Sequence, residues 1–193
     1  MASPEQPLKE VLCAHPAAFV LDVDGVMTDG KSVYTEAGKV MKVFGPDDHD
    51  SLNLLRDTLE IRFVSADRRG FPISRARIER DMGFPIDLVS SADRLAWITE
   101  RWPGERVIYM GDGPFDRFVF EGVGYGISVA DADADTLAAA DYVTSRRGGD
   151  RAVSEASKHV LDRFFGGARA KLEAAASGRA VGVTDEWSEH DAA

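Results

Sequence analysis

The chain has 193 residues, 44% of them hydrophobic and 29% charged, and a formal net charge of −10. That balance belongs to a folded domain with a sizeable core and excludes a disordered chain, and the acidity argues against nonspecific nucleic-acid binding. One cysteine, Cys13, excludes an internal disulfide framework and any Cys-rich zinc site.

The opening MASPEQPLKE lacks the basic and apolar regions of a signal peptide, and no later apolar run approaches a membrane span, so a cytoplasmic protein without membrane contact is expected. Residues 1–16 read as an extension with a short helix around Leu8–Cys13. The main domain spans 17–165. It begins with the continuous apolar run Ala17–Leu21, the signature of a strand buried on both faces of a parallel sheet. Asp22 stands where that strand emerges, and Asp24 follows in the loop before Gly25. Ser32–Phe44 alternates around Glu36-Ala37-Gly38 and reads as a β-hairpin, with Val33 and Tyr34 on one arm and Val40 and Val43 on the other. Asp48 or Asp50 is the expected N-cap of a short helix through Leu52–Leu55. A second strand, Ile61–Val64, ends at Ser65-Ala66-Asp67, and a helix over about Ile73–Met82 stops at Gly83.

Ile86–Val89 is a third strand, and Ser90-Ser91 is expected to cap a helix that runs to about Glu100. Val107–Met110 is the fourth strand and ends at Gly111-Asp112-Gly113. A short helix over Pro114–Glu121, a strand at Tyr125–Val129, a helical turn at Thr136–Ala140 and an edge strand at Tyr142-Val143 follow. The last long helix covers about Ala152–Phe165. Residues 166–193 form an Ala/Gly-rich and then acidic tail, helical as far as Ala176. Strand and helix alternate throughout, which predicts an α/β fold: a Rossmann-like parallel sheet flanked by helices.

In such a sheet the strand ends share one rim, where α/β proteins bind ligands. Asp22 and Asp24, Ser65, and Asp112 with Asp116 one helical turn later then meet, with Arg94 within reach. Two neighbouring carboxylates repel, and a hard divalent cation such as Mg²⁺ between them would relieve that cost. Nucleophilic acid, second acid, hydroxyl, cation and metal-binding acid together suit phosphoryl transfer. Each also has an ordinary structural explanation: Ser65 as a helix cap, Asp112 as a turn residue, Arg94 and Arg68-Arg69 as solvated helix positions.

The combination resembles the haloacid dehalogenase superfamily of phosphatases, whose first motif appears as Asp22-Val23-Asp24-Gly25-Val26-Met27-Thr28. It is more specifically similar to the small 3-deoxy-D-manno-octulosonate 8-phosphate phosphatase type, through LDVDGVMTDG, the hairpin leading to KVF, and ADYVTSRRGGDRAV. The resemblance implies a hairpin in place of a cap domain, Asp22 as nucleophile and Asp24 as acid and base. It implies Mg²⁺ held by Asp22, the Asp24 carbonyl and Asp112, with Asp116 in support. Ser65, Ala66, Arg94, Gly25, His49 and Arg68 become the expected phosphate- and substrate-binding residues, and the substrate a phosphorylated sugar or sugar acid. Three positions depart from the pattern: Arg94 replaces the usual lysine, Gly113 the second acid of Gly-Asp-Asp, and Asp47-Asp48-His49 the Arg-Asp-Gly that faces substrate. Arg94 and Gly113 also suit a catalytically weakened member with a regulatory or assembly role. A phosphomutase fits less well, because no cap domain is present. The apolar hairpin predicts an oligomer, and the resemblance predicts a tetramer.

Overall fold

A computed structural model of the chain describes residues 15–177. The helix expected at Leu8–Cys13 and the tail beyond 177 lie outside the described residues. Six strands form one parallel sheet: β1 (Ala18–Asp22), β4 (Glu60–Ser65), β5 (Ile86–Leu88), β6 (Val107–Gly111), β7 (Tyr125–Ser128) and β8 (Tyr142–Val143), in the order β5-β4-β1-β6-β7-β8. β1 lies at the centre, with Asp22 opposite Val64 of β4 and Leu21 opposite Met110 of β6. All five β1 residues are buried, Asp22 at its end included. Phe19 and Leu21 enter one core and Ala18 and Val20 the other, as the two-residue period of a strand requires.

The first core takes α1 (Asp48–Asn53), α2 (Phe71–Arg75) with its π-helical continuation Ala76–Asp81, α6 (Ala152–Phe164) and the start of α7 (Ala168–Ala176), through Leu52, Ile78, Val160 and Ala168 among others. The second takes α3 (Arg94–Thr99) and α4 (Asp116–Gly122), through Ile98, Val119 and Phe120. The remaining helix, α5 (Ala134–Ala139), leads into β8. The chain runs from β1 to β4 and β5 on one side, then returns to β6 on the other. The crevice between β1 and β6 is therefore the topological switch point of the sheet, the place where ligands bind in open α/β folds.

β2 (Val33–Thr35) and β3 (Gly38–Met41) form the separate antiparallel hairpin. Two caps differ from expectation. Neither Asp48 nor Asp50 caps α1: its N-cap is Asp47, in the left-handed region at φ 66°, and its side chain caps nothing. Asp48 instead turns inward, where its Oδ1 accepts the Ser154 backbone N–H in the first turn of α6 at 2.9 Å. Ser90-Ser91 likewise precedes a turn: Ser90 Oγ bonds Asp93, and α3 begins only at Arg94.

Candidate active site

β1 stops being a strand where its apolar run meets Asp22. The backbone N–H of Val23 immediately donates to Asp22 Oδ1 at 2.7 Å and fixes the carboxylate at the strand end. Opposite it, Arg94 opens α3 and is almost wholly buried. Its Nη2 donates to Asp22 Oδ1 at 2.9 Å and its Nη1 to Oδ2 at 2.7 Å. Nη1 also donates to Asp116 Oδ1 at 2.9 Å and lies 2.7 Å from the Tyr109 hydroxyl. The Tyr109 hydroxyl donates to the same Asp116 oxygen at 2.7 Å. Asp116 Oδ2 accepts the backbone N–H groups of Asp112 and Gly113 at 3.0 and 2.8 Å.

A carboxylate offers about four lone-pair sites. Asp116 has all of them engaged, so its work is to hold Arg94 and the 112–113 turn. Asp22 has three engaged, which leaves capacity on Oδ2. Among the described residues the Asp112 carboxylate accepts no hydrogen bond. It sits over Gly25, where a Cβ would meet Asp112 Oδ2 at 2.0 Å, and Gly25 itself has φ +92°. Only glycine fits there, because a side chain would displace Asp112.

Oxygens of Asp22, Asp112 and Asp116 all lie within 4.8 Å of one another. Burial raises Asp112 to about 8, with Asp22 and Asp116 adding to the shift. Burial likewise raises Asp22 to about 7, partly offset by Arg94. Carboxylates crowded in this way are short of positive charge. Asp112 and the remaining capacity of Asp22 suit a hard cation that keeps several waters and takes one or two carboxylates, so the donor set fits Mg²⁺.

These residues open on a cavity of about 430 Å³ lined by Asp22, Asp24, Ala66, Arg94, Asp112 and Asp116, with Lys39, Asp67 and Phe115 also in its lining. Ser65 lies beneath it, fully buried. Its hydroxyl donates to Asp24 Oδ2 at 3.0 Å and accepts the Asp67 N–H at 3.1 Å. Ser65 therefore orients Asp24 in addition to the phosphate-binding role expected of it. Neither His49 nor Arg68 lines the cavity. The His49 ring packs edge-on against Phe84 and bonds Asn53, and Arg68 is exposed.

Four residues escape sequence reasoning. Lys42 is wholly buried and reaches Asp24 Oδ1 at 2.6 Å, Asp67 Oδ2 at 2.8 Å and Ser74 Oγ at 2.9 Å. Lys39 pairs with the same Asp67 oxygen, and hydrogen bonds from Lys39 and Lys42 hold Asp67 well below the usual carboxylate range despite its partial burial. Tyr109 carries the hydroxyl that steadies Asp116. The available signals are two lysines on the second arm of the hairpin, among Val40, Met41 and Val43, and one phenol in the buried run Val107-Ile108-Tyr109-Met110.

Residues 95–156 match the family model of haloacid dehalogenase-like hydrolases. The 3-deoxy-D-manno-octulosonate 8-phosphate phosphatase of Haemophilus influenzae is 31% identical over 151 residues, covering 74% of this chain and 81% of that protein. The cobalt-bound structure of the deoxy-D-mannose-octulosonate 8-phosphate phosphatase from the same organism superposes with a TM-score of 0.72 at 28% identity, covering 83% of this chain and 99% of that one. The Moraxella catarrhalis 3-deoxy-D-manno-octulosonate 8-phosphate phosphatase also reaches 0.72, over 91% of this chain and 99% of that one; at 23% identity it shows the shared fold. With the site assembled at the switch point and this extent of identity, the chain belongs to the haloacid dehalogenase-like hydrolases, as a phosphatase of the type these relatives represent.

Proposed function

We propose that the chain hydrolyses a phosphomonoester through an aspartyl-phosphate, with Mg²⁺ and with a sugar phosphate or phosphorylated sugar acid as substrate. One observation carries the reading: Asp22, fixed by Val23 and Arg94, faces the same cavity as Asp24 and Asp112, whose carboxylate accepts no hydrogen bond among the described residues. The substrate class follows the relatives, whose names specify 3-deoxy-D-manno-octulosonate 8-phosphate.

The Asp22 carboxylate attacks phosphorus, and the bond to the leaving oxygen breaks. Asp24 gives its proton to that oxygen, then takes one from the water that attacks the aspartyl-phosphate. Inorganic phosphate leaves and the Asp22 carboxylate returns. Asp22, the Asp24 carbonyl and Asp112 would hold Mg²⁺, which neutralises charge on the transferring group so that a carboxylate can approach a phosphate. Arg94 keeps Asp22 in line, and Asp116 keeps Arg94 in place. A non-catalytic scaffold gives no reason for this arrangement of acids around one cavity.

The hairpin leaves large apolar side chains in solvent: Tyr34 is 56% exposed, Val40 49% and Val43 62%. We read this surface as the contact with further copies of the chain, in a tetramer that walls each cavity. The decisive experiment is a panel of sugar phosphates and phosphorylated sugar acids at saturating Mg²⁺, read by phosphate release. Turnover that chelation abolishes is expected. No turnover on any member, with folded protein and Mg²⁺ present, overturns the reading.

A further inference from the structure

We propose that Lys42 is a positioning residue for Asp24, so that the hairpin sets the orientation of the proton-transferring carboxylate. The inference rests on the reading of Asp24 as acid and base. Lys42 follows β3, and its ammonium is shut away from solvent with three acceptors around it: Asp24 Oδ1, Asp67 Oδ2 and Ser74 Oγ at 2.6, 2.8 and 2.9 Å. An ammonium has three protons to donate, and all three have partners. From the other side, Ser65 Oγ holds Asp24 Oδ2 at 3.0 Å. Both oxygens of Asp24 are therefore gripped from different elements, one by the hairpin and one by the end of β4. The plane of the carboxylate is set while its free edge still lines the cavity.

Anchoring alone does not explain a lysine here. Burying an ammonium is costly unless it is fully paired, and an apolar residue of similar volume often serves stability as well or better. A hairpin that needed only attachment could use methionine. What methionine cannot do is aim a carboxylate. Lys39, within β3, pairs with Asp67 and keeps that second acceptor in register for Lys42.

Misplacing a catalytic group by a small distance sharply slows the step it serves. If Lys42 positions the proton donor, its loss harms substrates in proportion to their need for a proton. An alkyl phosphate such as glycerol 3-phosphate must have its leaving alkoxide protonated. The p-nitrophenolate of p-nitrophenyl phosphate departs without one. The ratio of kcat/KM on these two substrates isolates the first chemical step from breakdown of the aspartyl-phosphate.

For Lys42→Met, kcat/KM on glycerol 3-phosphate should fall at least about tenfold further than on p-nitrophenyl phosphate. In an Asp24→Asn background the same substitution should cost less than about threefold on either substrate, because no carboxylate remains to be aimed. Equal losses on both substrates, no loss on either, or an undiminished extra loss in the Asp24→Asn background would each overturn the proposal. If Lys42→Met does not fold, Ser74→Ala carries the test. It removes one acceptor from the ammonium and should produce the same selective loss, smaller; an equal loss or none overturns the proposal. Failure of the underlying reading shows separately, as an Asp24→Asn protein that treats the two substrates alike.

Discussion

Arg94 grips both carboxylate oxygens of Asp22, at 2.9 and 2.7 Å, while the nitrogen nearer Oδ2 also reaches Asp116. One guanidinium thus separates two buried acids that would otherwise repel. The planar fork matches a carboxylate in a way that an ammonium does not. Arg94→Met should leave Asp22 and Asp116 unneutralised. A loss of about 3–5 kcal/mol of stability is expected, with activity down at least about 10²-fold. Arg94→Lys keeps the charge and should retain activity within about tenfold of wild type, at a lower melting temperature. Thermal melts and phosphate release measure both; an Arg94→Lys protein as inactive as the Arg94→Met protein would show that the fork, not the charge, is what Asp22 needs.

The nucleophile is tested more directly. Asp22→Asn preserves size and loses the attacking charge, so turnover should collapse while circular dichroism stays unchanged. Asp24→Asn should slow turnover by about 10² or more. Equal phosphate release by wild type and Asp22→Asn would end the aspartyl-phosphate mechanism.

The sheet and most of the helices are legible in the sequence because their signals are local. Apolar runs mark β1 and β6, Gly83 closes the helix after β4, and Asp22, Asp24, Asp112 and Asp116 each stand at or just past a strand end. What the sequence hides depends on pairings across the fold. Asp48 has the look of a cap for its own helix, yet it serves one that begins 104 residues later, at Ala152. Ser65 reads as a phosphate ligand or helix cap, and only the fold shows that it also bonds Asp24. Lys42 is ordinary in a hairpin, and only the folded chain brings it to an acid 18 positions earlier. His49 gives no local sign of its edge-on contact with Phe84, 35 positions later.

Gly113 leaves the metal side of the cavity one acid short of the pattern that the resemblance implies. A Cβ there would meet only Asp116 Oδ2, at an ordinary 3.6 Å, so a side chain is sterically admissible. Gly113→Asp should therefore lower the Mg²⁺ concentration that half-saturates activity. Titration of both proteins decides it, and an unchanged or higher midpoint in the variant counts against the assignment.

Asp48 supplies a pH test away from the cavity. It is 1% exposed, and among the described residues its Oδ2 has no hydrogen-bond partner. Burial raises it to about 6; Asp47 adds to the shift, while the Ser154 N–H, Arg77 and Arg151 oppose it. Because the folded state holds this proton more tightly than the unfolded chain, its contribution to stability is lost as pH rises from about 4 to 6 and the cost is complete above that. Asp48→Asn keeps an acceptor for Ser154 and removes the buried charge. It should gain up to about 3 kcal/mol at pH 8 and nothing near pH 4. Urea melts at the two pH values give the comparison, and an equal effect at both would assign the change to packing.

The hairpin prediction joins assembly to chemistry. Tyr34, Val40 and Val43 present an apolar surface that an isolated projecting hairpin does not normally show to water. On the same hairpin, Lys39 and Lys42 reach Asp67 and Asp24. Contacts between copies would cover the apolar side and hold the lysine side against the cavity. Val40→Asp with Val43→Asp places two charges on that surface without touching either lysine. Light scattering should show smaller species than wild type. Activity on the sugar phosphate should fall more than on p-nitrophenyl phosphate, because the larger leaving group loses both its wall and its proton donor. A wild-type protein that is monomeric and fully active would rule out the assembly, and a doubly substituted protein that stays oligomeric would move the contact to another surface.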